Sequence, residues 1–413
     1  MSQLQSSSSS SNIRQTMAAG QPGQLTPRLV WLMAVACGLT VANLYYNQPL
    51  LAQIGRAFGV DAQQMGVISM LTQFGYAAGM FLFIPLGDIQ ERRKLITTLL
   101  VAVGVALIGV AVSQSLLWIY AASLAVGITT VAPQMIIPLA AQLASPQERG
   151  RVIGNIMSGL LIGILLARTI SGWIGELFGW RTMFFLAAFM MVSLAYILHR
   201  NLPVSTPTIK LSYPGLIKSM GILIMEQRTL REAAIIGACM FASFSVFWTA
   251  LAFYLEGPSY GYGSGIAGMF GLVGVAGAGA ASVIGRLADK VKPSSMAGFM
   301  IVMALLAYTS FWLLGGWIWG LTLGVILLDL GVQGCQVSNQ ARIYSLLPEA
   351  RSRLNTVFMV STFIGGAIGS TLGGFIWSHY GWNGICAVGG AFVTVALLLW
   401  FTHRAVGQAK PVN

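Results

Sequence analysis

The chain has 413 residues, of which 56% are hydrophobic and 8% charged, and it carries a net charge of +12. Soluble domains hold charged residues at about a quarter of the chain, so a soluble enzyme or a soluble nucleic-acid binder is excluded. The remaining class is a polytopic membrane protein. Its apolar runs of about 20 residues each match a ~30 Å hydrocarbon core, and they must be helical because lipid offers the backbone no hydrogen-bond partner.

Residues 1–27 hold a serine run at 6–11 and a single charge, Arg14, which reads as a disordered cytoplasmic tail. No short apolar core with a small-residue cleavage site marks a signal peptide there. Twelve spans follow, predicted at 29–51, 65–86, 95–113, 117–143, 153–177, 182–199, 233–255, 264–284, 296–314, 317–345, 354–377 and 383–402. The first ends in Asn43-Leu44-Tyr45-Tyr46-Asn47-Gln48-Pro49, with Thr40, Asn43 and Asn47 on one helical face. The fourth offers Ser123, Thr130 and Gln134 beside Pro133, and the fifth contains Arg168. Arg168 lies about 16 residues into its span, ~24 Å from the cytoplasmic end, where it either snorkels to the outer headgroups or faces a cavity. The linker 200–232 is proline-bearing and then amphipathic, and it divides six spans from six.

The seventh span offers Ser243, Trp248, Thr249 and Tyr254. In the eighth, Gly265, Gly268, Gly271, Gly274 and Gly277 recur every three residues, a small-residue surface for close helix packing. The tenth places Asp329, Gln333, Gln336 and Gln340 at i, i+4, i+7 and i+11, one polar stripe on one face. An acid at bilayer depth is costly and faces a bundle interior or a wet cavity. Asp329 therefore reads as a proton or cation carrier, a partner for a cationic substrate group, or an acid bonded to its neighbours for packing. It could also pair with Arg168 across the two halves, or Arg168 could bind an anionic substrate group. Gly365, Gly366, Gly369, Gly373 and Gly374 mark the eleventh span as a packing surface, and residues 404–413 form a second cytoplasmic tail.

With the N-terminus cytoplasmic, twenty of the twenty-three Lys and Arg residues lie in the even loops and both tails or, for Arg342, at the cytoplasmic end of the tenth span; Arg56, Arg168 and Arg181 are the exceptions. This is a positive-inside distribution, and it assigns the +12 to anionic inner-leaflet lipid rather than to nucleic acid. The two halves, 28–199 and 233–403, resemble each other at a shift of 202 residues. Arg149 falls on Arg351, Gln134 on Gln336, Gly59 on Gly261, Gly66 on Gly268, Gly172 on Gly374 and Gly179 on Gly381. Two related six-helix halves are a transporter signature, with the site at the midplane between them. Four dispersed cysteines, three single histidines and no phosphate-loop motif leave no metal, disulfide or ATP site and imply no cofactor. An intramembrane enzyme needs two or more acids or histidines at bilayer depth, and only Asp329 is placed there.

The loop Pro85-Leu86-Gly87-Asp88-Ile89-Gln90-Glu91-Arg92-Arg93-Lys94 and its counterpart Gly285-Arg286-Leu287-Ala288-Asp289-Lys290-Val291-Lys292 occupy matching places in the two halves. They resemble the Gly-x-Leu-Ala-Asp-Arg-x-Gly-Arg-Arg motif of the major facilitator superfamily, and the chain is most similar to its drug:proton antiporter (efflux permease) type. Ala167-Arg168 stands where that type carries Gly-Pro. The resemblance implies an all-α membrane protein of twelve transmembrane helices in two pseudo-symmetric six-helix halves. It also implies a cavity lined by spans one, four, seven and ten, and conformational gating by Asp88, Arg92, Arg93, Gly285 and Asp289.

The reading is a monomeric, multi-pass transporter of a bacterial inner membrane with both termini cytoplasmic. It exports a small organic molecule by proton-coupled antiport. Asp329, Gln333, Gln336, Gln340, Gln134, Asn43, Tyr46, Asn47 and Arg168 line the substrate and proton pathway. The alternative is a proton symporter or uniporter that imports a polar metabolite such as a sugar or organic acid, which the Asn- and Gln-rich lining suits.

Overall fold

The computed structural model describes residues 25–145, 147–204, 213–274, 293–347 and 350–408, apart from the side chains of Asp88 and 403–408. In chain order the helices are α1 (Pro27–Ala42), α2 (Leu51–Phe58), α3 (Ala62–Ile89), α4 (Arg92–Ala111), α5 (Leu116–Thr129), α6 (Ala132–Leu143) and α7 (Arg149–Phe178). There follow α8 (Trp180–Asn201), α9 (Tyr213–Glu226), α10 (Arg228–Glu256), α11 (Ser264–Gly274), α12 (Pro293–Leu314), α13 (Ile318–Tyr344) and α14 (Arg351–Gln408). Among the described residues nine helical stretches are long and apolar enough to cross a membrane, with α5 and α6 together forming one of them; α1 and α11 are shorter apolar helices. Polar side chains start several of them. Thr26 caps α1, Asp61 accepts from the Gln64 amide at 3.0 Å to cap α3, and Ser115 caps α5.

Glycine ends the helices where the chain must turn sharply. Among the described residues the four with positive φ are Gly59 (66°), Gly179 (83°), Gly261 (65°) and Gly381 (57°), and they form two pairs at the 202-residue shift of the sequence repeat. At Gly179 and Gly381 one residue alone separates two long helices. The loop predicted at 378–382 is thus a single non-helical glycine.

Three other boundaries differ from the sequence expectation. The first span does not run helically to residue 51: α1 stops at Ala42, and 43–50 is a series of turns with a 3-10 turn at Gln48–Leu50. Pro49 cannot donate a backbone bond and would collide with the carbonyl of Tyr45 in a continuous helix. The carbonyl of Tyr46 is satisfied instead by the Ser171 hydroxyl at 2.9 Å. The fourth span breaks into α5 and α6, with Pro133 in the first turn of α6. The seventh span starts at Arg228 rather than 233 because its charges are paired: Arg231 donates to the Ile224 carbonyl at 2.7 Å, and Glu232 meets Arg342 of α13 at 2.9 Å.

The Glu232–Arg342 pair is almost wholly buried. Removing one partner leaves an uncompensated charge, so Glu232→Ala is expected to destabilise the folded chain by about 3–5 kcal/mol. A lower thermal midpoint in detergent, with Arg342→Met/Glu232→Met less damaging than the single change, checks this.

The two halves meet along two helix pairs, α3 with α14 and α7 with α11. Gly66 of α3 lies against Gly374 of α14, where an added Cβ would sit 3.1 Å from the facing Cα. Gly172 of α7 lies against Gly268 of α11, with the equivalent distance 3.0 Å. These glycines are repeat partners of one another, so the sequence repeat maps onto two equivalent crossings. Around them, Gln63 N–H donates to the Ser378 hydroxyl (3.1 Å), Gln73 donates to Ser370 (2.7 Å), Ser264 to the Gly172 carbonyl (3.1 Å) and Thr169 to the Gly268 carbonyl (3.0 Å). An Arg56–Glu256 ion pair joins the rims. All of these contacts lie toward the face that carries the α2–α3, α7–α8 and α10–α11 connections, here termed the odd-loop face. Its small residues and direct backbone contacts make it a closed seam.

Candidate functional site: a buried arginine and a buried acid beneath the seam

Helix α7 carries Arg168 ten residues before its end at Phe178, about 15 Å below the odd-loop face. Helix α13 carries Asp329 eleven residues after its start at Ile318, about 17 Å below the same face. The two charges therefore sit at one depth on opposite halves. Arg168 is 1% exposed and Asp329 2%. This settles the two placements of Arg168 posed by the sequence: it does not snorkel to the headgroups but points inward.

The guanidinium is enclosed by aromatic rings. Its Cζ lies 3.9 Å from the centre of Trp248, 4.7 Å from Tyr45 and 5.4 Å from Phe244. Its Nε donates to Gln48 Oε1 at 2.6 Å, while Nη1 and Nη2 have no hydrogen-bond partner. A cavity of about 10 Å³, room for about one water, is lined by Gln48, Pro49, Arg168, Trp248, Leu251, Ala252 and Ala267.

Asp329 also lacks a partner at Oδ2. Among the described residues Arg168 and Asp329 make no ion pair within 4.0 Å. Both charges border α11. An added Cβ on Gly271 would lie 2.8 Å from Cβ of Arg168, and one on Gly274 would lie 3.1 Å from Asp329 Oδ2. The glycine ladder of α11 thus leaves the room in which both charges stand. Buried polar atoms left without a hydrogen-bond partner are costly, so Nη1, Nη2 and Oδ2 mark this pair of side chains as the candidate site.

The other predicted pathway residues divide into groups. Asn43 donates to Met191 Sδ (3.2 Å) and Asn47 to Thr72 (3.4 Å), each leaving its Oδ1 unpartnered and buried. Gln134 donates to the Tyr76 hydroxyl at 3.1 Å, and the Tyr76 ring meets Phe363 across the seam at 4.6 Å. Gln336 and Gln340 are tied to α14 within their own half, through Met359 Sδ (3.8 Å) and Asn355 Oδ1 (3.2 Å). Gln333 is half-buried. Tyr46 faces away from Arg168 and lines a groove of about 610 Å³ between α1 and α7 with Trp31 and Ile170.

Tyr45, Gln48 and Phe244 are the site residues that sequence reading passed over. The signal for Gln48 was present as a glutamine beside a helix-breaking proline.

Of the gating residues, Asp88 ends α3 and its side chain is outside the described set, as are Gly285 and Asp289 altogether. Arg92 is buried, with Nε donating to the Gly87 carbonyl (2.9 Å) and Nη1 to Gln142 (2.8 Å), so it staples the loop to the end of α6. Arg93 pairs with Glu91 at 3.4 Å. Among the described residues no three His, Cys, Asp or Glu side chains gather as a metal site.

A bundle of apolar helices with two buried charges under an inter-half seam fits a multi-pass membrane transporter. The family model of the Major Facilitator Superfamily matches residues 30–343, and the chain belongs to that superfamily. It is 42% identical over 383 residues to the putative uncharacterized transporter YgaY of Escherichia coli (strain K12), covering 92% of this chain and 97% of that one. It is 22% identical over 369 residues to a probable sugar efflux transporter of Pasteurella multocida (strain Pm70), covering 85% and 86%. Its fold is similar to the inward-facing, unoccupied crystal structure of a bacterial homologue of the human lysosomal transporter Spinster, with a TM-score of 0.72 at 16% identity, covering 90% and 95%.

Proposed function

We propose that this chain exports a small organic molecule by proton-coupled antiport, through alternating access of two six-helix halves that together make twelve spans. The observation that carries the reading is the pair of buried, unpartnered charges, Arg168 and Asp329, at one depth on opposite halves. An acid at bilayer depth costs several kcal/mol unless it is neutralised, so taking up and losing a proton is the cheapest way for it to persist. With the N-terminus cytoplasmic in a bacterial inner membrane, the closed seam is the outer gate and the arrangement is inward-facing. Substrate entering from inside displaces the proton; the seam then parts, and proton entry from outside releases the substrate.

Asn43, Asn47, Gln134, Gln333, Gln336 and Gln340 supply polar lining along the route. Loops 85–94 and 285–292 serve as gates, with Asp88, Arg92, Arg93, Gly285 and Asp289 in the roles that the motif assigns. No soluble domain or partner chain is required, and a monomer suffices. A second reading, import of a polar metabolite, draws support from the unpartnered amide oxygens of Asn43 and Asn47, which suit a hydroxylated substrate.

Inside-out membrane vesicles energised by an inward-acidic gradient test the direction. Accumulation of a candidate compound, collapsed by a protonophore, is the expected result. Accumulation in right-side-out vesicles alone would overturn export in favour of import.

A further inference from the structure

We propose that Arg168 is the recognition point for a carboxylate, and that the transported molecule is a monocarboxylate with an apolar or aromatic body. This deepens the transporter reading and rests on it: the substrate's path passes the buried guanidinium.

Nε is engaged by Gln48 Oε1 at 2.6 Å, so one edge is filled by a neutral amide. The two terminal nitrogens, Nη1 and Nη2, are buried and unpartnered. That end is a symmetric fork of donors, and it matches the two oxygens of a carboxylate in a bidentate pair. Gln48 brings no negative charge, and the acid at the same depth makes no ion pair with Arg168. The terminal nitrogens of an enclosed cation are therefore left without an acceptor, which is costly unless one arrives.

The walls supply the second half of the specificity. Trp248, Phe244 and Tyr45 surround the guanidinium, and the small cavity that Arg168 lines is also lined by Leu251, Ala252 and Ala267. A highly hydrated inorganic anion gains nothing from such walls, whereas an apolar body attached to a carboxylate does. Arg168 belongs to the first half of the chain, Trp248 and Ala267 to the second. Parting the seam withdraws the tryptophan from the guanidinium and widens a space that, when closed, has room for about one water.

The test uses the purified full-length chain in detergent, with benzoate as the probe and benzamide, the same ring without the charge, as its control. Thermal stability is followed for wild type, Arg168→Gln, Gln48→Glu and Asp329→Asn. Benzoate is expected to raise the wild-type midpoint and benzamide to leave it unchanged. Arg168→Gln should abolish the shift. Gln48→Glu keeps the arginine and installs a carboxylate on its neighbouring edge, so it should weaken benzoate by about tenfold or more by occupying the charge. It also decides the matter if Arg168→Gln fails to fold. Asp329→Asn, which removes a negative charge near the site, should enlarge the benzoate shift. Equal shifts with benzamide, or a benzoate shift that survives both Arg168→Gln and Gln48→Glu, overturn the carboxylate site. No wild-type shift alongside intact proton-driven flux in vesicles overturns it too, while leaving the transporter reading in place. A benzoate shift without any proton-driven flux removes the coupling and keeps the site.

Discussion

Asp329→Asn is expected to reduce proton-driven flux to background while leaving the chain folded. The two side chains have the same shape, and the asparagine cannot ionise. Among the described residues Asp329 Oδ2 has no hydrogen-bond partner to lose and Asp329 is in no ion pair, so the substitution breaks no such contact there. A neutral amide is also cheaper to hold at bilayer depth than a carboxylate, and the thermal midpoint should stay level or rise. Two measurements in proteoliposomes separate coupling from passage. Flux driven by an imposed pH gradient should vanish in the variant, whereas substrate-for-substrate exchange without a gradient should persist. Proton-driven flux that survives the change would move coupling away from Asp329, with Asp88 and Asp289 the next acids to replace.

The depth of this acid was legible in the sequence, because a lone carboxylate midway along an apolar run of spanning length has to lie within the bilayer. The repeat was legible too: glycines matched at a shift of 202 reappear as the left-handed turns at Gly59 and Gly261, at Gly179 and Gly381, and as the two crossings of the seam. What the sequence could not supply is contact between segments. The partners of the glutamine stripe on α13 are an example: Gln336 and Gln340 meet Met359 and Asn355, residues that no periodicity links to them. The sequence reading runs the first span helically to residue 51 and places Tyr46 on the pathway. Once Pro49 ends that helix, adjacent residues no longer follow a 100° step, and Tyr45 turns to Arg168 while Tyr46 turns away. Arg168 itself was visible as an odd charge, but its enclosure by Trp248 and Phe244 depends on a helix about 80 residues further along the chain.

Gly172→Val and Gly374→Val are each expected to hold the odd-loop face open. At Gly172 the neighbours of an added Cβ are backbone atoms of Ser264 and Gly268; at Gly374 they are backbone atoms of Ala62, Gly66 and Gln63. No flexible side chain can move aside, so the helices themselves must separate. Overpacking of this kind costs about 1–3 kcal/mol, and here the cost falls on the closed seam alone. A bias of that size shifts a two-state equilibrium by roughly 5–150-fold, and transport should fall in step because the cycle needs the closed state. The shift can be read with a cysteine at Ala252, which is buried under the seam, in a background without the four native cysteines. A membrane-impermeant maleimide should label it faster from the odd-loop side in either valine variant. Gly221, in α9, has open space where a Cβ would go, and Gly221→Val is the control that should leave labelling unchanged. Because the two crossings are equivalent by the repeat, the two valines should act alike. Lost transport with unchanged labelling in both would show that the glycines pack the halves without setting their balance.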